Sequence, residues 1–404
     1  MIGKRKTQTT ERRQILVDGR TPVNYAMFAP VHAAMRDDPR VAFTFIASEE
    51  PKRAREIFAG AGPSARIIGP MAAALTRFDV YLTSDFMWTR HLRRPCRIQM
   101  FHGVAGKYGF DAPSESMRMW DRLFFVNRRR LANFVKAGAI DADSTAIRLI
   151  GMPKVDCVVD GSLERNAVLT GLGLDPARPT VLYAPTWSPA SSLNTMGERL
   201  IAQLRTLPIN LIVKLHDRSR DIRARYSGGI NWMARLTPLL SAAHAHLAQG
   251  ADICPYLVAA DVMVADHSSA AFEFLLRDRP IVRIHAPDLI ALANIHQDYV
   301  ALLESASESV TTLAQAVMAV ERALSDPSAR SAARRAVAED LFHEPGTATQ
   351  RCMAALYDAV GLQPRSAPEP VSSPEARRAS PIDASAAAAA QKAGSPPRLW
   401  QPSA

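Results

Sequence analysis

Four consecutive polar residues have the arrangement of a phosphate-binding loop. Asp266, His267, Ser268 and Ser269 follow an apolar run, DVMVA, and precede AAFEFLL, which is predicted as a helix. One serine should therefore lie at the first helical turn, where unpaired backbone N–H groups attract phosphate. A purely structural helix cap fits the same pattern. Glu273 lies inside this helix and could accept hydrogen bonds from ribose hydroxyls, although an ordinary partly exposed glutamate fits equally well.

A cation and an imidazole follow another apolar run, NLIV. Lys214 and His216 are two residues apart, so in an extended chain both side chains point to one side, with Leu215 opposite. Such a pair suits a pyrophosphate. The alternative is a surface lysine beside a hydrogen-bonded histidine.

A third candidate, His102, follows the run RIQMF and precedes GVAGK. The two glycines let the backbone approach a ligand closely, and the imidazole could remove a proton from a hydroxyl. A core histidine is the alternative. The segment is not a nucleotide-binding P-loop, because Phe101 replaces the required first glycine and Tyr108 replaces the Ser or Thr after Lys107.

No metal-binding site and no cofactor are predicted. Asp141 and Asp143 form a DxD tripeptide, but they follow a glycine at a predicted helix exit. His244 and His246 lack the carboxylate or cysteine companion that a metal site needs.

These residues follow apolar runs, and the runs define the predicted fold. Short β-rich runs alternate with segments of helical periodicity, which predicts parallel sheets with ligands beyond the carboxyl ends of the strands. The runs form two series: QILVDG, VAFTFIA, FDVYLTS, RIQMFHG, RLFFVN and IRLIGMP, then TVLYAPT, NLIVKLHD, AHLAQG, DVMVADHSS and PIVRIHA. We therefore predict an α/β protein with two Rossmann-like, doubly wound domains.

The predicted organisation has five parts, with terminal helices expected from about residue 307. They are a basic arm over 1–12, a first domain over 13–160, a linker over 161–179, a second domain over 180–362 and a disordered Pro-, Ala- and Ser-rich tail over 363–404.

Composition restricts the class of protein. The chain has 404 residues, 48% of them apolar, which suits two domains folded in water. No run of 18 apolar residues occurs, so neither a signal peptide nor a membrane span is expected. Cys96, Cys157, Cys254 and Cys352 form no CxxC pair, which favours a reducing cytoplasmic compartment over a disulfide framework.

The charge indicates polyanionic partners. Lys and Arg number 49 against 39 Asp and Glu, a formal net charge of +10. Nucleic acid, anionic lipid and phosphate-bearing substrates all fit such a charge. Nucleic acid is not expected, because no RNP-like aromatic pattern or helix-turn-helix signal occurs.

Several motifs together resemble one enzyme family. FHGVAGK, IGMPKVD, VLYAPTW, VKLHD and PYLVAADVMVADHSSAAFEFLLRDRPIV occur in the order typical of the CDP-glycerol glycerophosphotransferase family, which builds teichoic acids and capsule backbones. The resemblance covers about residues 13–361. It implies a glycosyltransferase-B type fold, two Rossmann-like domains facing across a cleft, with the nucleotide held by the second domain and no obligatory metal.

The resemblance also implies roles for single residues. His102 is similar in position to the proposed base for the acceptor hydroxyl. His216, Ser268 and Ser269 are similar to diphosphate contacts, with Thr186 of YAPTW nearby. Two departures leave the donor open: Ser188 stands where an arginine is common, and His267 where a tyrosine is common.

The sequence thus predicts a phosphotransferase. It would move phosphoglycerol or a related phospho-alcohol from a CDP-activated donor to a hydroxyl of a cell-surface glycan or lipid-linked acceptor, releasing CMP. His102 and His216 are the predicted catalytic residues; Thr186, Lys214, His216, Asp266, Ser268, Ser269 and Glu273 are the predicted donor contacts. The alternatives are a glycosyltransferase using a nucleotide-sugar and a polyanion-binding protein. A cytoplasmic location is expected, with the basic arm suggesting contact with an anionic membrane surface at the inner face of the plasma membrane.

Overall fold

The computed structural model describes residues 12–104 and 119–364. The predicted basic arm, apart from Arg12, and the predicted tail from residue 365 onward lie outside the described residues. Within them, two parallel six-stranded sheets flanked by helices confirm the predicted α/β class.

The first sheet contains the six predicted strands of the N-terminal series. Its spatial order is β2-β1-β3-β4-β5-β6, and every pair is parallel. The strands are β1 (Arg13–Asp18), β2 (Val41–Ile46), β3 (Val80–Thr83), β4 (Cys96–Met100), β5 (Arg122–Phe125) and β6 (Ile147–Leu149).

The second sheet has the order of a Rossmann fold, β12-β11-β10-β7-β8-β9, and is also parallel throughout. The strands are β7 (Thr180–Tyr183), β8 (Asn210–Val213), β9 (Ala245–Leu247), β10 (Val262–Ala265), β11 (Ile281–Ile284) and β12 (Glu308–Val310). The strand order reverses between β7 and β10, which is where such sheets bind ligands.

Among the described residues, helices connect the strands and also follow the last strand. The α-helices are α1 (Pro22–Met35), α2 (Ala54–Ile57), α3 (Pro70–Leu75), α4 (Arg128–Lys136), α5 (Asp156–Val159), α6 (Arg165–Gly171), α7 (Glu198–Leu204), α8 (Ala224–Ser227), α9 (Trp232–Leu240), α10 (Cys254–Ala259), α11 (Ser269–Phe274), α12 (Pro287–Leu292), α13 (Gln297–Ser305), α14 (Leu313–Ser325), α15 (Ser331–Leu341) and α16 (Ala348–Ala359).

Sequence pattern explains why these elements form. Every residue of β7, β8, β10 and β11 is buried, as expected for strands covered on both faces by helices. In α1, Met27, Val31 and Met35 recur every four residues, and all three are completely buried.

Two features differ from the predicted pattern. The segment 161–179, predicted as a linker, contains α6, and the segment predicted to be helical from residue 307 begins with β12. The β12 strand has only three residues and forms the sheet edge beside β11, so its pattern is too short to reveal a strand.

The last helix packs against elements of the first sheet. Tyr357 of α16 donates a hydrogen bond to Asp38 at 2.9 Å, and the Arg351 side chain donates to the Ile150 carbonyl at 2.9 Å. The described residues up to Pro364 belong to one compact unit. The domain boundaries stay a prediction.

Candidate active site

The carboxyl-terminal ends of strands from both sheets open onto one cavity of about 490 Å³, a size typical of small-ligand sites. Residues after β1, β3 and β4 line one side, and residues after β7, β8 and β10 line the other. Seven of the eight predicted site residues line it: His102, Thr186, Lys214, His216, Ser268, Ser269 and Glu273.

Asp266 occupies a different position from the predicted one, since it is buried and does not line the cavity. Its carboxylate accepts hydrogen bonds from the Thr186 backbone at 2.9 Å and from the Ser192 backbone and hydroxyl at 3.0 and 2.9 Å. Asp266 therefore joins the loop after β10 to the loop after β7. It positions Thr186 at the switch point of the sheet.

Ser268 is the N-cap of α11, as the sequence pattern predicted. Its hydroxyl accepts a hydrogen bond from the Ala270 backbone at 3.2 Å, and both Ser268 and Ser269 border the cavity. Capping and ligand contact are compatible, because a hydroxyl oxygen that accepts one bond can still donate its own proton. Contact with a diphosphate stays a prediction.

Lys214 and His216 both face the cavity, as expected from their spacing. Burial lowers the pKa of Lys214 to about 8, while nearby Asp217 opposes this shift. The Lys214 ammonium donates to the Leu215 carbonyl at 3.0 Å. His216 Nδ1 accepts from the Arg218 backbone N–H at 3.1 Å, so a neutral His216 carries its proton on Nε2.

Glu273 is buried and paired, not a partly exposed helix residue. Its two carboxylate oxygens lie 2.8 and 2.7 Å from the ammonium of Lys154, which follows β6. Burial is the largest single effect on Lys154 and lowers its pKa, but attraction to Glu273, Cys254 and Asp252 and the hydrogen bond to Glu273 together raise the pKa above its usual value. Sequence reasoning missed Lys154 as a cavity residue, although it lies in the motif IGMPKVD.

His102 enters the cavity from the first sheet. Its Nδ1–H donates to the Ser84 carbonyl at 2.5 Å, because a carbonyl can only accept, and a neutral ring then has its lone pair on Nε2. Burial lowers the pKa of His102, while the Asp85 carboxylate opposes the shift. At neutral pH the ring is therefore an oriented, unprotonated base. Residues 105–118, which include Lys107 and Tyr108, lie outside the described residues.

Other polar residues on this side were not predicted. The Arg20 guanidinium binds Glu49 through two hydrogen bonds of 2.7 Å and Asp85 through one of 2.9 Å. Asn24 accepts from the Thr21 backbone at 2.8 Å and donates to the Ser84 hydroxyl at 2.9 Å. The bonds from Arg20 to Asp85 and from Asn24 to Ser84 join the loops after β1 and β3. These partners lie 65 and 60 residues apart, too distant in sequence to be predicted.

An arginine and a tryptophan complete the second-sheet side. Trp187 follows Thr186, and the Arg218 guanidinium carbon lies 4.6 Å from the centre of the Trp187 ring. Both residues border the cavity. Ser188, which stands where an arginine was expected, is buried, and its hydroxyl accepts from the Ala190 backbone at 3.0 Å.

The described residues contain neither a metal-binding cluster nor a membrane-spanning helix. Over 12–104 and 119–364, no group of three or more His, Cys, Asp or Glu side chains is placed to hold a metal ion. No helix in the same ranges is long and apolar enough to cross a bilayer.

Two parallel Rossmann-like sheets that share one ligand cavity define the glycosyltransferase-B class of fold. The profile of one family, CDP-Glycerol:Poly(glycerophosphate) glycerophosphotransferase, matches residues 34–357. The chain belongs to this family and is a glycerophosphotransferase enzyme. A search of curated proteins found no match.

Solved structures agree on the fold. The H444N variant of the wall teichoic acid polymerase TagF is 15% identical with a TM-score of 0.66, covering 87% of this chain and 89% of that chain. MnaA of S. aureus, solved with UDP, is 12% identical with a TM-score of 0.55, covering 87% and 99%. A UDP-N-acetylglucosamine 2-epimerase is 13% identical with a TM-score of 0.52, covering 88% and 99%. At these identities the likeness concerns architecture alone.

Proposed function

We propose that the cavity binds CDP-glycerol against the second sheet and the acceptor hydroxyl against the first. The observation that carries this proposal is the placement of His102 and the group Lys214, His216 and Ser268 on opposite sheets around one cavity. The H444N variant of the wall teichoic acid polymerase TagF, which has a similar fold, has been solved after a soak with CDPG.

The second-sheet residues suit a nucleoside diphosphate. Lys214 supplies positive charge, His216 supplies a hydrogen-bond donor and the hydroxyls of Ser268 and Ser269 supply two more. Glu273 is a buried carboxylate on the same side of the cavity, and we assign it to the ribose hydroxyls. Its pairing with Lys154 fixes the carboxylate at the cavity wall.

The reaction that fits this arrangement is an in-line transfer at phosphorus. His102 Nε2 takes the proton of the acceptor hydroxyl as that oxygen bonds to the β-phosphorus. The bond from the β-phosphorus to the bridging oxygen breaks, and CMP leaves with that oxygen. Lys214 and His216 stabilise the charge on the phosphoryl oxygens, so the protein contributes position and electrostatics.

The acceptor is proposed more coarsely, as a hydroxyl of a cell-surface glycan or of a lipid-linked polymer. Contact of the basic arm with an anionic surface at the cytoplasmic side of the plasma membrane belongs to the same proposal. Its basis is sequence alone, because only Arg12 of the arm is described.

A nucleotide-sugar donor is the alternative that the fold itself suggests, since UDP-sugar enzymes share the architecture. Fold does not choose between the two donors. The family match favours the phospho-alcohol donor.

A ligand panel tests the donor. Thermal unfolding of the protein is measured with CDP-glycerol, CDP-ribitol, UDP-sugars and GDP-sugars at matched concentration. A donor at about 100 times its dissociation constant stabilises the folded state by about 2.7 kcal/mol. CDP-glycerol should give the largest increase in melting temperature and should yield CMP with a hydroxyl acceptor. A larger increase with a UDP-sugar would overturn the assignment.

A further inference from the structure

The segment after β8 places two cationic side chains at the cavity, Lys214 and Arg218. Among the described residues, the other Lys and Arg side chains that line the cavity are Arg20, Arg130 and Lys154. Arg20 is paired with Glu49 and Asp85, and Lys154 is paired with Glu273. Arg130 donates to the Gly103 carbonyl and lies over the Phe101 ring on the first-sheet side.

Arg218 differs because aromatic rings hold it. Its guanidinium carbon lies 4.6 Å from the Trp187 ring centre and 5.4 Å from the Tyr226 ring centre. No carboxylate of the described residues lies within ion-pair distance of its guanidinium. Stacking of this kind orients a planar guanidinium through its faces and leaves its edge N–H donors available for a ligand.

The same residue also orients His216. The backbone N–H of Arg218 donates to His216 Nδ1 at 3.1 Å, and the Trp187 and His216 ring centres are 6.3 Å apart. Lys214, His216 and Arg218 therefore alternate along one loop beside one tryptophan. Lys214 loses charge above a pKa of about 8, whereas an arginine stays charged at every physiological pH.

We propose that Arg218, held by Trp187, is a diphosphate-binding residue of this enzyme and supplies the permanent positive charge of the donor site. The inference rests on the proposed function, because it assumes that the nucleotide lies against the second sheet. A planar fork of donors suits the oxygens of a diphosphate, which accept two parallel hydrogen bonds. The ligand class is an anionic diphosphate, and the nucleoside itself is not recognised by this residue.

Titration calorimetry on the full chain tests the proposal with three variants. Arg218→Ala should weaken CDP-glycerol binding by about 10- to 100-fold, the usual loss for a charge-assisted contact. Arg218→Lys keeps the charge and loses the planar fork, so it should recover only part of the affinity. Arg225→Ala is the matched control, because Arg225 stacks on Tyr226 at 4.6 Å and does not line the cavity. Its affinity should equal that of wild type.

Cytidine, which lacks phosphate, separates diphosphate binding from a general defect. Its affinity should be the same in wild type and Arg218→Ala. Equal loss for cytidine and CDP-glycerol would overturn the proposal, as would an affinity of Arg218→Ala for CDP-glycerol equal to that of wild type. If wild type itself does not bind CDP-glycerol, the proposed function fails and this inference fails with it.

Discussion

Substitution of His102 should reduce the rate of transfer without weakening donor binding. Replacing His102 by Ala removes the base that the Ser84 carbonyl orients but leaves the second-sheet residues intact. We expect near-normal affinity for CDP-glycerol and a loss of roughly 10² to 10⁴ in turnover, the usual contribution of a positioned general base. Calorimetry gives the affinity, and single-turnover transfer to a hydroxyl acceptor gives the rate.

The pH dependence gives His102 a second test. The unprotonated ring is the active form, and burial lowers its pKa below the usual 6.5. The wild-type rate should therefore stay high at pH 7 and fall only as pH drops through this lowered pKa. The residual rate of His102→Ala should lack this acidic limb. A variant that transfers at wild-type speed would make His102 a structural histidine.

Lys214 should make donor binding weaker at high pH, whereas His102 makes the transfer rate fall at low pH. Its pKa of about 8 means that it is charged at pH 7.5 and largely neutral at pH 9. A bound diphosphate favours the charged form, so affinity for CDP-glycerol should fall by up to about tenfold between these pH values. Lys214→Arg should flatten the dependence, because an arginine stays protonated. A wild-type affinity that does not change with pH would contradict this role.

The sequence could predict which residues line the cavity where those residues follow a strand. Four predicted residues that come soon after apolar runs line the cavity: Thr186, Lys214, His216 and Ser268. Lys154 also directly follows a predicted run, IRLIGMP, and could have been found by the same rule. Its pairing with Glu273 could not be predicted, because the two residues lie 119 positions apart in the chain.

At the scale of elements, apolar runs predicted eleven of the twelve strands that the structure describes. The runs sufficed because central parallel strands are uniformly apolar. Helix docking could not be predicted, because it depends on contacts between distant segments. The packing of the start of α16 against the start of α5 is one such case, since residue 156 accepts hydrogen bonds from residues 346–349.

Asp156 should be a strong stabiliser of this docking. Its buried carboxylate accepts hydrogen bonds from the backbone N–H groups of Gly346, Ala348 and Thr349 at 2.8, 3.1 and 2.7 Å, at the start of α16. Asp156→Ala leaves these donors without their acceptor and should destabilise the fold by about 1–3 kcal/mol. Chemical denaturation of the full chain measures the difference.

A neighbouring aspartate provides the control for that experiment. Asp160 is exposed and accepts one hydrogen bond from the Ser162 backbone at 2.8 Å. Asp160→Ala should change stability by less than about 0.5 kcal/mol, as expected for a surface position. If Asp156→Ala unfolds at the same denaturant concentration as this control, the carboxylate does not hold α16.

At the scale of the whole molecule, the two sheets meet at a buried ion pair. Lys154 belongs to the segment after β6 of the first sheet, and Glu273 belongs to α11, which follows β10 of the second. Their side chains are only 9% and 6% exposed. A pair of this kind is costly to break from one side, because the remaining charge is buried without a partner.

Removing one member of this ion pair should therefore destabilise the protein more than removing both members together. Lys154→Met or Glu273→Met alone should destabilise the protein by about 3–5 kcal/mol, whereas the double variant Lys154→Met/Glu273→Met should recover much of that loss. Equilibrium unfolding of the four proteins gives the coupling between the two sites. If Glu273 also binds the donor ribose, the double variant will be stable but will bind CDP-glycerol more weakly than wild type. Losses that simply add would show that the two side chains stabilise their own sheets separately and do not couple them.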